Sequence, residues 1–223
     1  MQEQIFSSSY CSALYLRDVA KVRGKVFVIG REGLRNELRE AGIHLNTDED
    51  DEPGATIFNC TLASDVKAVL VGHDDKFTFL KLAKASCYLR DPDCLFLATD
   101  ADPWHLLKDE RILPGSGCLT AALEAASGRK AIVIGKPSPF MFECISSQFR
   151  VDPAQCLMVG DRLETDMVFG ANCGLDTMLT LTGISQMKTA QEYKDSDRSS
   201  NHRFVPDYVV DSIADFLSAF KKD

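Results

Sequence analysis

Residues 156–166, Cys156-Leu157-Met158-Val159-Gly160-Asp161-Arg162-Leu163-Glu164-Thr165-Asp166, decide how the rest of the chain is interpreted. The short apolar run predicts a buried strand that ends at Gly160-Asp161, just before a polar helix start. In an open α/β sheet, ligands bind at the carboxyl ends of the strands. A carboxylate there, with a second at Asp166 in the next helical turn, suits a hard divalent cation such as Mg²⁺. The alternative is that Asp161 only caps a helix.

A lysine precedes this stretch in a comparable position. Gly135-Lys136-Pro137-Ser138-Pro139 follows an apolar run and opens a predicted helix, and prolines are tolerated in a first helical turn. A helix amino end already favours phosphate through its free N–H groups and its dipole, so Lys136 there indicates an anion site. The alternative is a solvated surface lysine. Together, Lys136 and the two carboxylates predict a site for a phosphate and a metal ion.

The remaining sequence predicts strands that alternate with helices through short loops. Such alternation is typical of an α/β fold with a parallel sheet and helices on its faces. The predicted strands are residues 25–30, 66–72, 94–99, 131–135, 157–160, 177–181 and 208–210. The predicted helices are residues 3–20, 32–41, 77–89, 119–126, 140–149, 165–173 and 212–220. Residues 186–203 are polar and are expected to form a loop, and the acidic run 47–53 is expected to be a solvated loop.

Composition limits the possible partners of the chain. The 223 residues are 45% hydrophobic and carry a net charge of −8, which argues against nucleic acid or an anionic membrane as a partner. No apolar run approaches the ~20 residues that span a bilayer, and the first residues do not resemble a signal peptide. The eight cysteines contain no C-x-x-C pair. Reduced thiols in a cytoplasmic protein are therefore expected.

The motifs at residues 135–139 and 158–166 resemble the third and fourth motifs of the haloacid dehalogenase (HAD) superfamily of phosphatases. The resemblance runs from about Glu3 to the carboxyl terminus and includes Ala98-Thr99-Asp100-Ala101-Asp102-Pro103-Trp104-His105. Within the superfamily the sequence is most similar to vertebrate pyridoxal phosphatases (chronophins), and next to phosphoglycolate phosphatases. The implied fold is a Rossmann-like core with a large inserted α/β cap. Residues 1–21 and 131–223 would belong to the core, and residues 22–130 would form the cap.

The resemblance also implies roles for individual residues. Lys136 would clamp the phosphate, Asp161 would bind Mg²⁺, and Asp166 would support them as a second carboxylate. His105 of the cap would reach the pyridoxal end of pyridoxal 5′-phosphate, and His73 at the next cap strand would also contact the substrate. In the family, an Asp of a D-x-D-G motif attacks phosphorus and forms an aspartyl-phosphate that water then hydrolyses, which is covalent catalysis.

This sequence departs from the family in its first two motifs. The 223 residues contain no D-x-D-G, and Asp100-Ala101-Asp102 is followed by Pro103 instead of glycine. Only 33 residues lie between Asp102 and Lys136, too few for a cap and a further core strand, so a substrate-facing or capping role is expected for this pair. The chain therefore contains half of the family's active site. An incomplete sequence and a short isoform both fit, and we expect the chain alone to be inactive and poorly soluble.

Other functions remain open on this reasoning. The substrate could be phosphoglycolate or a phosphoprotein, or the chain could be a non-catalytic binding protein built on the cap. The sheet pattern alone would also fit a receiver-like or nucleotide-binding domain, although fold analogy is weak support. The resemblance further implies a homodimer formed through the cap.

Overall fold

The computed structural model describes residues 4–46 and 54–215. The chain forms two compact units, Met1–Gly135 and Lys136–Asp223. The acidic run 47–53 and most of the helix predicted at residues 212–220 lie outside the described residues. The predicted assignment of residues 1–21, 22–130 and 131–223 to core and cap stays a prediction.

The first unit is built on a parallel sheet of four strands in the order β1-β2-β3-β6. These strands are β1 (Lys25–Ile29), β2 (Val66–Val71), β3 (Leu95–Ala98) and β6 (Ile132–Val133). β2 and β3 are buried along nearly their whole length, as expected for parallel strands with both faces covered. Their side chains pack with the following helices into a core that includes Phe27, Val69, Phe96 and Leu123.

In the described part of this unit four α-helices accompany the sheet: α1 (Ser8–Leu14), α2 (Glu32–Glu40), α3 (Phe79–Tyr88) and α4 (Ser116–Ser127). The Ser7 hydroxyl caps α1 by accepting the Tyr10 N–H, and a π-helical turn, Tyr15–Val19, continues the helix. α1 packs against α2, and α3 packs against α4 and β2. α4 ends at Gly128, whose φ of 70° is a left-handed conformation that glycine adopts without strain.

A short antiparallel hairpin interrupts the alternation between β3 and α4. It consists of β4 (Trp104–Leu106) and β5 (Ile112–Pro114), and it was not predicted from the sequence. Its strands have only three residues each, and Leu106 and Ile112 are exposed. Such short strands without a buried face leave no alternating pattern from which a strand could be predicted.

The second unit contains a parallel sheet of three strands in the order β7-β8-β9. The strands are β7 (Leu157–Gly160), β8 (Asp176–Thr180) and β9 (Tyr208–Val210). Up to residue 215 its α-helices are α5 (Phe140–Phe149), α6 (Val168–Cys173) and α7 (Met187–Lys194), with a π-helical turn, Leu163–Met167, before α6. The prediction of an α/β fold with parallel sheets is confirmed.

The predicted loop over residues 186–203 is wrong. The segment contains α7 and a 3-10 helix, Ser199–Phe204. Ala190 is buried in a cluster with Leu163, Met167 and Leu179, and the Tyr193 ring stacks on Phe204 with centroids 4.7 Å apart. Ala190 and Tyr193 lie three residues apart and so share one helix face. Because polar residues surround this short apolar pair, the sequence pattern did not indicate a helix.

Candidate active site

The candidate site lies where β7 and β8 end in the second unit. β7 and β8 are parallel, with Gly160 opposite Leu179, so the segments that follow both strands leave the same edge of the sheet. β7 leads into Asp161, and β8 leads into Gly183-Ile184-Ser185. Asp161 Oδ2 accepts the N–H of Ile184 at 2.9 Å, and the Asp161 carbonyl accepts the N–H of Ser185. The loop after β8 therefore holds Asp161 in place.

Asp166 is the most enclosed carboxylate of the site. Its side chain is only 5% exposed, and its Oδ2 accepts the N–H groups of Asp161 and Arg162 at 3.0 and 3.1 Å. Its other oxygen, Oδ1, accepts from Lys136 Nζ at 2.7 Å. A buried carboxylate is stable when several donors satisfy it, and this one has two backbone donors and a cation.

Lys136 begins the second unit, ahead of α5. Its ammonium is held by Asp166. Because the Lys136 side chain is 40% exposed, the site is partly open to solvent on this side. The Pro137 carbonyl accepts from Asn172 Nδ2 at 2.8 Å, which ties this segment to α6. The structure thus brings Lys136 and Asp166 together although 30 residues separate them.

Two glycines permit this close packing. A Cβ on Gly160 would lie 2.3 Å from Asp166 side-chain atoms, and a Cβ on Gly183 would lie 2.0 Å from Asp161 Oδ2. Real Cβ atoms do not approach so closely, so both positions require glycine for a close approach. Gly183, Ser185 and Asn172 were not among the site residues predicted from the sequence. The available signal was a Gly-x-Ser segment, Gly183-Ile184-Ser185, separated by one residue from the predicted strand at 177–181.

The two predicted substrate residues lie in the first unit. His73 follows β2 and is half-buried, and His105 lies in β4 and is exposed. Lys136, Asp161 and Asp166 all lie in the second unit.

Asp100, which the sequence placed in a D-x-D pair, makes local hydrogen bonds. Its Oδ2 accepts from Thr99 Oγ1 at 2.9 Å, and its Oδ1 accepts from Asp102 N–H and Ser116 Oγ. These bonds tie the end of β3 to the start of α4.

Mg²⁺ commonly binds to one or two protein carboxylates, with water and substrate phosphate completing the shell. Asp161 offers such an oxygen ligand at a strand end. Among the described residues no group of three or more His, Cys, Asp or Glu side chains could hold a metal. The donor set therefore fits a Mg²⁺ site that relies on ligands besides these residues.

Comparison with known proteins identifies the family. The model of haloacid dehalogenase-like hydrolases matches residues 4–174, and a related model of HAD-hydrolase-like proteins matches residues 133–216. The chain belongs to the haloacid dehalogenase-like hydrolases. It is a phosphatase by family, as its similar proteins also indicate.

Three similar proteins illustrate this membership. Chronophin of Bos taurus is 52% identical over 223 residues, which cover 98% of this chain and 72% of chronophin. Glycerol-3-phosphate phosphatase of Gallus gallus is 43% identical, covering 97% of this chain and 71% of that protein. The structure of a p-nitrophenyl phosphatase from Archaeoglobus fulgidus superposes with a TM-score of 0.75 and 28% identity, over 95% of this chain and 73% of that one.

The described helices include none that is long and apolar enough to cross a membrane. All eight cysteines are free thiols in the structure.

Proposed function

We propose that this HAD phosphatase hydrolyses phosphate monoesters with Mg²⁺, and that pyridoxal 5′-phosphate is its substrate. The observation that carries the proposal is the Lys136–Asp166 pair, with Nζ and Oδ1 2.7 Å apart beside the end of β7. It supports the proposal because an oriented ammonium in a partly enclosed site stabilises charge on phosphoryl oxygens. The 52% identity to chronophin supports the substrate.

Three residues of the second unit have a defined role in this proposal. Lys136 binds the phosphoryl oxygens, and Asp166 orients Lys136 through their ion pair. Asp161 supplies the protein ligand for Mg²⁺. When bound, Mg²⁺ neutralises charge on the transferring phosphoryl group. In the first unit, His105 and His73 contact the pyridoxal end of the substrate.

The nucleophile of the proposed reaction lies outside these residues. The family forms an aspartyl-phosphate on an Asp of D-x-D-G, and the 223 residues contain no such motif. Asp100 is a poor substitute because both of its oxygens accept local hydrogen bonds. We therefore propose that this chain is inactive alone and becomes active when the family's amino-terminal segment is added.

The test measures Mg²⁺-dependent release of phosphate from pyridoxal 5′-phosphate. It compares this chain with one that carries the amino-terminal segment of chronophin. Activity only in the longer chain supports the proposal, and activity in neither folded protein contradicts it. Activity in the short chain that Asp100→Asn abolishes would show that Asp100 is the nucleophile.

A second measurement separates substrate recognition from phosphate chemistry in the active, longer protein. Lys136→Ala should lower turnover of pyridoxal 5′-phosphate and of a generic aryl phosphate alike. His105→Ala should reduce only the preference for pyridoxal 5′-phosphate. If His105→Ala leaves that preference unchanged, the role of His105 is wrong.

A second substrate class is supported by a specific similarity. The chain is 43% identical to a glycerol-3-phosphate phosphatase. A small phosphorylated alcohol or acid, such as phosphoglycolate, is therefore the alternative substrate. Measuring kcat/KM for pyridoxal 5′-phosphate, glycerol 3-phosphate and phosphoglycolate in one preparation decides between them.

The proposed protein is a cytoplasmic homodimer. Free thiols support a reducing compartment, and the exposed Leu106 and Ile112 of the β4–β5 hairpin support self-association through the first unit. The double variant Leu106→Asp, Ile112→Asp should be a monomer in sedimentation velocity, whereas the unmodified protein should be a dimer. Fractionation of cells tests the localisation and should place the protein with cytoplasmic markers.

A further inference from the structure

A charged cleft lies in the first unit, beside the carboxyl ends of β1 and β2. Its volume is about 750 Å³, within the range of small-molecule sites. Five of the side chains that line it are basic and three are acidic, which leaves a local charge of +2 in a chain of net charge −8. The basic side chains are those of Arg31, Arg35, Arg39, Lys76 and Lys81.

The three acidic side chains of the cleft already have basic partners. Arg31 Nε lies 2.8 Å from Asp75 Oδ1, and Lys81 Nζ lies 2.8 Å from Asp74 Oδ2. Glu32 pairs with Arg39. The Asp74–Lys81 pair is the most enclosed of the three, with side-chain exposures of 4% and 16%. The carboxylates therefore neutralise three of the five cations.

Arg35 and Lys76 are the remaining cations. Arg35 donates to the carbonyls of Val28 and Gly30 at 2.8 and 3.3 Å, which uses two of its five N–H donors. Within the described part of the chain, neither Arg35 nor Lys76 has a carboxylate partner. Arg35 is half-buried and anchored at the end of β1, so its position is fixed before any ligand arrives. Two cations with no carboxylate partner among the described residues match a ligand with two negative charges.

The start of α2 adds to this potential. Arg31 is its N-cap residue and makes no side-chain cap hydrogen bond. Gly33, in the first turn, lines the cleft, and a Cβ built there would meet nothing within 4 Å. Glycine destabilises a helix relative to alanine, and no packing contact at Gly33 requires it. Gly33 therefore borders open space in the cleft beside the positive end of the helix dipole.

We propose that this cleft binds a small dianion with a phosphoryl group, either free phosphate or a phosphate monoester. Two cations that no described carboxylate neutralises, one of them the anchored guanidinium of Arg35, form a phosphate-binding arrangement with the amino end of α2. None of Lys136, Asp161, Asp166, His73 and His105 lines the cleft. Arg31 also donates its N–H to the His73 carbonyl at 3.1 Å, so a bound dianion would fix the segment that carries His73.

The test is calorimetric titration with inorganic phosphate at low salt, on the Lys136→Ala form of the chain. That substitution removes the phosphate contact proposed for the second unit, so binding that remains reports on another site. Gly33→Asp places a carboxylate in open space at the cleft, and Lys76→Glu reverses one unpartnered cation. Each should weaken phosphate binding by about tenfold or more. Gly33→Ala and Lys188→Glu are the matched controls and should retain binding.

Lys188 is a suitable charge control because its side chain is 84% exposed in the second unit. Circular dichroism verifies that each variant is folded, and Lys76→Glu keeps the test valid if Gly33→Asp unfolds. The proposal is overturned if the Lys136→Ala form no longer binds phosphate. It is also overturned if neither Gly33→Asp nor Lys76→Glu weakens the binding. Methylphosphonate serves as a non-hydrolysable ester analogue. Binding of methylphosphonate indicates a monoester ligand, whereas binding of phosphate alone indicates the free ion.

Discussion

At the scale of single residues, Asp166 contributes more to the stability of the fold around the site than Lys136 does. Asp166 accepts two backbone N–H groups and the ammonium while being 5% exposed, whereas Lys136 is 40% exposed. Asp166→Asn retains only one good acceptor and leaves buried donors unsatisfied. We expect it to lower the free energy of unfolding by roughly 1–3 kcal/mol. Urea denaturation followed by circular dichroism measures this loss.

Lys136→Met is the matched control for Asp166→Asn. It removes the cation but leaves both backbone bonds to Asp166 in place, so we expect a loss below about 1 kcal/mol. If Lys136→Met costs as much as Asp166→Asn, the ion pair and not the backbone donors holds the carboxylate, and this account is wrong.

Gly160 should be intolerant of the smallest substitution. The Cβ of Gly160→Ala would lie 2.3 Å from Asp166 Cβ, Cγ and Oδ2, so the carboxylate would have to leave its two backbone donors. We expect a destabilisation of about 1–3 kcal/mol, typical of overpacking. Urea denaturation checks it against Gly33→Ala, which meets nothing within 4 Å and should be neutral or stabilising. Equal stability of Gly160→Ala and the unmodified chain would show that Asp166 can relocate freely.

At the scale of secondary structure elements, one side chain links β9 to β8. Asp207 Oδ2 accepts from the Thr177 N–H at 2.8 Å and from Thr177 Oγ1 at 2.7 Å, and Thr177 is buried. Asp207→Ala should therefore cost about 1–2 kcal/mol of folding free energy. Asp211→Ala, at the exposed other end of β9, should change it by less than about 0.5 kcal/mol. Thermal melts of both variants measure the difference, and similar melting temperatures would contradict the linking role of Asp207.

The strands and most helices could be predicted because their apolar spacing is local. β2 and β7 coincide with short apolar runs, and α4 covers the helix predicted at residues 119–126. α7 and the β4–β5 hairpin could not be predicted in the same way, because α7 has few apolar residues and the hairpin strands are only three residues long. Where the burial of an element depends on distant partners such as Phe204, its own sequence contains little signal.

The candidate site was predictable in its components but not in its contacts. Lys136 and Asp161 each follow an apolar run, so their placement at strand ends follows from local patterns. That Asp166 contacts both Lys136 and the backbone of Asp161 depends on a π-helical turn and on how α5 and α6 are placed. Ile184 and Ser185, in the loop after β8, donate their N–H groups to Asp161, and no local pattern links residues that far apart.

At the scale of the whole molecule, stability should fall in alkali because of a buried thiol. Cys94 is fully buried in the core of the first unit, and burial raises the pKa of its thiol from 9.0 to about 11. The unfolded state then loses this proton at lower pH than the folded state does. The contribution of Cys94 is thus fully present below about pH 9 and is lost as pH rises through about 11.

This linkage predicts a pH-dependent difference between the unmodified chain and Cys94→Ala. Near pH 10, deprotonation of the unfolded thiol should cost the unmodified chain roughly 1 kcal/mol that the variant does not lose. Urea midpoints near pH 7 and near pH 10 measure it: the midpoint should fall less between the two pH values in Cys94→Ala. Cys173, whose thiol pKa burial also raises to about 11, remains in both proteins, so it contributes equally to both. Parallel midpoints at both pH values would mean that Cys94 ionises as readily in the folded chain as in the unfolded one.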